Sequence, residues 1–332
     1  MHNIHTTKAE NQPPLDDNIA KILASQANLH FPPSADEVPQ FHKETRARHA
    51  PFIDAILSDT KIHVEKSRIP GPYGDIPLVT LRPTSPNPLS APYPGILFLH
   101  GGAMISGDPF MGLNMVIGMV KELDAVVISV DYRAAPKHQG LTLVEDCYAA
   151  LAWMGGHLED LGIDPNRLMV AGGSAGGGLA AGTVLMARYR NEPKLCGQLL
   201  SGPMLDDRNE TISAKQFLNE DNGSYDTNQN QQAWRFVLGD RVASEDVSYY
   251  VAPARAKDLS RLPPAYIDVG SCEPFRDEAV AYATRMWEYG SQADLHVWGG
   301  GCHGFDNAKH LDIAKSAIRT REKWMRKILT KK

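Results

Sequence analysis

A chain of 332 residues, 42% of them hydrophobic, can bury a large core, and its 28 glycines and 23 prolines are too few for a disordered or fibrous protein. A net charge of −5 with scattered lysines and arginines argues against a nucleic-acid surface. No apolar run approaches the ~18 residues of a membrane span, and the stretch holding His2, His5, Lys8 and Glu10 lacks the apolar core of a signal peptide. Cys147, Cys196, Cys272 and Cys302 follow no zinc or C-x-x-C spacing, so reduced thiols and a cytoplasmic location are expected.

In chain order, residues 1–60 read as polar-amphipathic helices. Ile19, Ile22, Leu23 and Ala27 recur at helical spacing, as do Phe52, Ile53, Ile56 and Leu57, on either side of a proline-broken stretch at 31–39. These helices precede the first strand and are expected to cover something. Residues 62–64 and 76–82 predict antiparallel strands around a turn at 70–74. Strands and helices then alternate: a buried strand over 95–99, a helix over 111–123, a strand over 125–130, a helix over 143–153 and a strand from Leu168. Near-continuous apolar strands separated by helices predict an α/β protein, its mostly parallel sheet covered on both faces. After a short strand at 198–200 the alternation lapses. Residues 206–256 are polar, with Asn222-Gly223 and one helical piece carrying Trp234, Phe236, Val237 and Leu238, as expected of a lid or insertion. A strand over 264–269, a helix over 274–289, a strand over 294–298 and a helix after His310 close the chain. The basic end from Arg321 to Lys332 is expected to be the exposed face of that helix.

The chemistry centres on Gly172-Gly173-Ser174-Ala175-Gly176, where an apolar strand turns sharply into a small-residue helix. The pattern G-x-S-x-G lifts a hydroxyl clear of the sheet at a helix N-terminus, where amides and the helix dipole favour negative charge. A P-loop would need Gly-Lys-Ser/Thr, and a dinucleotide loop would need a third glycine and a later acid; both are missing. A serine nucleophile needs a base, and the base needs an orienting acid. His303 lies in a glycine-rich loop, 299–305, just after the last strand. Three carboxylates follow the 264–269 strand: Glu273, Asp277 and Glu278. With Pro274 suited to the first helical position, Glu273 falls on the strand-end loop and is preferred as the acid, a mere capping role being its alternative. Asp277 and Glu278 fall in the first helical turn. The loop His100-Gly101-Gly102-Ala103 offers backbone amides for an oxyanion, as does Ala175.

These residues, with Asp131-Tyr132-Arg133, Tyr250-Val251-Ala252-Pro253, Glu273-Pro274-Phe275-Arg276-Asp277-Glu278 and His303-Gly304-Phe305, carry a family likeness. The chain resembles the hormone-sensitive-lipase-like carboxylesterases of the α/β-hydrolase superfamily over nearly its whole length. The resemblance implies an α/β-hydrolase fold, a triad of Ser174, Glu273 and His303, and an oxyanion hole made by the amides of Gly102, Ala103 and Ala175. It further implies a helical cap built from residues 1–60 and 206–256 over a catalytic domain of residues 61–205 and 257–332, with no metal or organic cofactor. At the site the sequence departs from the usual pattern in three places. Ala103 replaces a glycine, Met104 an aromatic residue, softening that wall of the pocket, and Glu273 an aspartate. Phe31, Met104 and Trp234 are expected to bind substrate, and Phe52 and Phe236 are further apolar groups available to line the pocket.

The reading is a serine carboxylesterase acting on a small-molecule ester of small to medium apolar character, with a homodimer left open. An amidase, lactonase or thioesterase would use the same residues. A non-catalytic small-molecule receptor on the same fold is the rival of a different class, and the retained His303 argues against it.

Overall fold

The computed structural model describes residues 11–25, 31–219 and 224–330. The segment read for an export signal, Ala27 and Asn222-Gly223 lie outside them. The described residues open with α1 (Asp17–Ser25) and α2 (Val38–Leu57), followed by the antiparallel pair β1 (Ile62–Ile69) and β2 (Ile76–Pro83). Then come β3 (Tyr93–Leu99), α3 (Ile117–Leu123), β4 (Val126–Val130), α4 (Leu141–Gly156), the short α5 (Leu158–Leu161), β5 (Ile163–Gly173) and α6 (Ala175–Arg190). After β6 (Gly197–Ser201) come α7 (Ile212–Gln216) and α8 (Thr227–Leu238). The chain closes with β7 (Ala265–Gly270), α9 (Arg276–Glu288), β8 (Ala293–Trp298) and α10 (Asp312–Leu329).

Among the described residues the strands form one eight-stranded sheet in the order β1-β2-β4-β3-β5-β6-β7-β8, parallel from β4 to β8. Strand periodicity explains why both faces are covered. In β3, Leu97 and Leu99 join one core cluster with α4, α6, α8 and α9, while Ile96 and Phe98 join another with α3 and α10. The same split divides Val170 from Met169 and Ala171 in β5. All these side chains are fully buried, which is why the strands read as unbroken apolar runs.

Three local expectations are corrected. The helix expected over 111–123 begins only at Ile117, because Gly112 takes a left-handed conformation (φ 82°) and a 3-10 turn follows it. Pro274 does not start a helix; α9 starts at Arg276 with Phe275 before it. Arg321 is not on an exposed face: it is 2% exposed and ion-paired with Asp268 and Asp306.

The 206–256 excursion closes on itself at its base. Arg255 grips buried Asp207 through two hydrogen bonds, Nε to Oδ1 at 2.6 Å and Nη2 to Oδ2 at 2.9 Å. The Ala254 amide meets the Leu205 carbonyl beside them at 3.1 Å. Asp226 caps α8 in a reciprocal box with Gln229. Among the described residues no helix is long and apolar enough to cross a membrane.

Candidate active site

Ser174 stands between the last residue of β5 and the first of α6 with φ 58° and ψ −127°, a conformation costly for a side-chain-bearing residue. The surroundings over-determine it. Its amide donates to the Ser201 carbonyl at 2.8 Å, and its carbonyl accepts the amides of Gly177 (2.9 Å) and Met204 (3.1 Å). The turn closes so tightly that a Cβ on Gly172 would strike the Gly176 carbonyl, and one on Gly176 the Leu99 carbonyl. With its backbone fixed at both ends, the residue has only its hydroxyl left to place.

That hydroxyl lies 2.9 Å from His303 Nε2, and His303 Nδ1 lies 2.6 Å from Glu273 Oε2. The second carboxylate oxygen of Glu273 accepts the Gly270 amide at 2.7 Å, so the 2% exposed acid is held at both oxygens. The Cys272 amide donates to the Gly301 carbonyl at 2.9 Å, tying the acid's loop to the histidine's. The His303 ring is packed between Phe275 (5.1 Å, edge-on) and Tyr225 (5.4 Å), with Gly202 behind it. The other two carboxylates of the segment turn away. Asp277 accepts Arg276 Nε and the Ser213 amide, both at 2.7 Å. Glu278 accepts the Leu205 amide at 2.6 Å, and burial raises its pKa well above the ordinary glutamate value. The structure thus brings together Ser174, His303 and Glu273, in a line of two hydrogen bonds.

The loop after β3 approaches the same point. Gly102, Ala103 and Met104 have φ of 110°, 56° and 62°, and this left-handed run folds the loop back on the Gly102 carbonyl, which accepts the Ile105 and Ser106 amides at 3.0 and 2.9 Å. Among the described residues, no group of the protein accepts the amides of Gly102, Ala103 or Ala175. His100 anchors the loop from below. Its ring stacks on Tyr132 at 4.2 Å, its Nδ1 donates to the Gly101 carbonyl at 2.7 Å, and Tyr132 Oη donates to the His100 carbonyl at 2.8 Å. Burial lowers the His100 pKa and keeps the ring neutral, which suits a single donated hydrogen bond. This anchoring by His100 and Tyr132 went unread in the sequence, although both residues stand in its quoted motifs.

A cavity of about 710 Å³ opens on Ser174, His303 and Glu273 and is lined by Gly102 and Ala103. Phe31 lines it as expected, but four other apolar candidates do not. Met104 is fully buried beneath its own turn, its methyl reaching toward Gly178 of α6. Trp234 is likewise fully buried, on the inward face of α8 with Ala233 and Val237. Phe236 joins that same core, and Phe52 packs with Ile56 on the opposite side of the sheet. The sequence reading missed Phe41, Thr45, Arg48 and His49, which bring one stripe of α2 to the cavity wall. Their spacing of three to four residues was the available signal. Tyr225 and Gln229 line the cavity from the excursion. Among the described residues, no cluster of His, Cys, Asp or Glu has the arrangement of a metal site.

Comparison with known proteins agrees with this geometry. A family model described as the alpha/beta hydrolase fold matches residues 96–307. The carboxylic ester hydrolase LipN of Mycobacterium tuberculosis is 34% identical over 277 residues, covering 81% of this chain and 72% of that protein. The esterase LipI of the same organism is 33% identical over 251 residues, covering 74% of this chain and 75% of its own. Among solved structures, a bacterial heroin esterase superposes with a TM-score of 0.86 at 31% identity, covering 96% of this chain and 98% of the other. The chain belongs to the hormone-sensitive-lipase-like carboxylesterase family of the α/β-hydrolase fold.

Proposed function

We propose that the protein is a serine carboxylesterase for esters of small to medium apolar acids and alcohols, with Ser174 as nucleophile, His303 as base and Glu273 as its orienting acid. The observation that carries this reading is the hydrogen-bonded line from Ser174 to His303 to Glu273, open to the cavity at its serine end. Ser174 Oγ attacks the ester carbonyl carbon as its proton passes to His303 Nε2, and Glu273 stabilises the imidazolium through Nδ1–H. The amides of Gly102, Ala103 and Ala175 receive the developing oxyanion, and such donors are worth on the order of 10²–10³ in kcat each. Collapse of the tetrahedral intermediate expels the alcohol, which takes the proton from Nε2. Water then attacks the acyl-enzyme by the same route and releases the acid.

Residues 1–60 and 206–256 act as the cap over this site. The support is that α2 and the excursion supply cavity wall from Phe41, Thr45, Tyr225 and Gln229, and that the excursion is stapled at its base by Arg255 and Asp207. The spacing of Cys147, Cys196, Cys272 and Cys302, which follows no zinc or C-x-x-C pattern, supports a reducing, cytoplasmic setting. The test is turnover of p-nitrophenyl acetate and butyrate by the wild type and Ser174→Ala. Wild-type burst kinetics and a loss on the order of 10⁶ in the variant are expected; equal rates in the two proteins would overturn the reading.

A further inference from the structure

Beside the site, with Asp268 and Asp306 among the cavity-lining residues, lies a buried ion network that the triad does not use. The Arg321 guanidinium, on α10, gathers three segments: Nη1 donates to Asp306 Oδ2, and Nη2 donates to Asp268 Oδ2 and to Ser201 Oγ, all at 2.9 Å. Each segment also holds part of the site. The Ser201 carbonyl accepts the Ser174 amide at 2.8 Å. The Asp268 carbonyl accepts the amide of Gly202 at 2.6 Å, and Gly202 backs the His303 ring. Asp306 belongs to the 3-10 turn Phe305–Asn307, in the loop that presents His303. Burial works against the Arg321 charge, but Asp268 and Asp306 outweigh it and hold the guanidinium charged above the ordinary arginine range.

One cation here faces two buried carboxylates, so the network is over-supplied with negative charge. A buried pair made only for stability would be complete with Asp268. The second carboxylate sits where it can act on the histidine loop. We propose that Arg321 and Asp306 are positioning residues for His303: the guanidinium clamps the loop through Asp306, and so fixes the distance from Nε2 to Ser174. Its kinetic consequence rests on the esterase reading, and its geometric consequence does not.

The variant to make is Asp306→Asn, which leaves Arg321 balanced by Asp268 alone and is expected to fold with an unchanged Tm. On p-nitrophenyl acetate its kcat should fall about 10- to 100-fold at unchanged KM, the scale of a small misplacement of a catalytic group. In a His303→Ala background the same substitution should cost nothing further, because the effect runs through the imidazole. The downfield proton NMR signal of His303 Nδ1–H, in its 2.6 Å hydrogen bond to Glu273, reads ring placement without turnover and should shift or broaden. Should Asp306→Asn not fold, Arg321→Lys keeps the charge but loses the fork that bridges the segments, and the same kcat loss and signal change are expected. A kcat within twofold of wild type with an unmoved proton signal would overturn the proposal, as would an equal loss in the His303→Ala background. Failure of the esterase reading would look different: wild type and Ser174→Ala would then hydrolyse the ester equally, while the proton signal would still report on the clamp.

Discussion

At the carboxyl ends of β3, β5, β7 and β8 the backbone dictates where each side chain goes. Ser174 is held at φ 58°, Gly102 at 110° and Ala103 at 56°, and the loops are tied to one another by amide–carbonyl bonds such as Cys272 to Gly301. In α2 and the described residues of the 206–256 excursion, the left-handed positions Asn209, Asn219, Gly239 and Ala243 are not cavity-lining residues, and packing decides which residue meets the cavity. Phe41 and Tyr225 line the wall, while Trp234 and Phe236, on the neighbouring stretch, are buried in the core. Under the proposed function the first region carries the reaction and the second shapes what enters, and the two are expected to respond to substitution in different ways.

The largest effect should fall in the first region, with stability spared. Glu273→Gln keeps the shape of the acid but removes the charge beneath the imidazolium, and kcat on an activated ester should drop between about 10² and 10⁴. Thermal melts should show the folded fraction intact. Full activity in Glu273→Gln would mean that the two hydrogen bonds of that carboxylate are merely structural.

Trp234→Ala should show the opposite pattern. Removing a fully buried indole from α8 should cost roughly 3–5 kcal/mol by chemical denaturation, with kcat preserved in the folded fraction. Phe31→Ala, at the cavity wall, should instead raise KM about tenfold for long acyl esters with little change in Tm. If Trp234→Ala altered acyl-chain preference and Phe31→Ala did not, the division between core and cavity wall would be drawn in the wrong place.

The smallest effect sharpens the contrast within one segment. Burial acts to raise the Asp277 pKa, but the Arg276 guanidinium and the Ser213 amide prevail and hold it below the ordinary value of 3.8. A depressed carboxylate pKa stabilises the fold above its unfolded value and loses that contribution as pH falls through its folded value. Asp277→Asn should therefore cost about 1 kcal/mol at neutral pH, a modest figure because the side chain is 29% exposed. The gap to wild type should close below pH 3.8, as measured by melts across the acid range, while kcat stays unchanged throughout.

The same contrast explains what the sequence could disclose. Gly172 and Gly176 announce the Ser174 turn because a Cβ at either would strike a backbone carbonyl. The alternation of apolar runs announced the sheet because both of its faces are buried. Glu273 was preferred over Asp277 on the premise that Pro274 opens the helix; the helix in fact opens at Arg276, yet the acid meets His303 as expected. Residues of α2 and the 206–256 excursion are legible as helix and excursion but not by which side chains face the cavity. Trp234 and Phe31 are both large and apolar, and nothing local in sequence says which one faces a cavity lined by segments as far apart as Phe41 and His303. Arg321 misled for a related reason: its position in a basic stretch hid partners on β7 and in the His303 loop.

The account stands on Ser174 being the one activated nucleophile, and covalent labelling tests this most directly. A fluorophosphonate reacts only where a base activates a hydroxyl beside an oxyanion site. Peptide mapping after treatment of the wild type should find a single adduct, on Ser174, formed at a rate that falls with Glu273→Gln and is abolished in Ser174→Ala. An adduct on any other residue, with ester hydrolysis surviving in Ser174→Ala, would contradict the account.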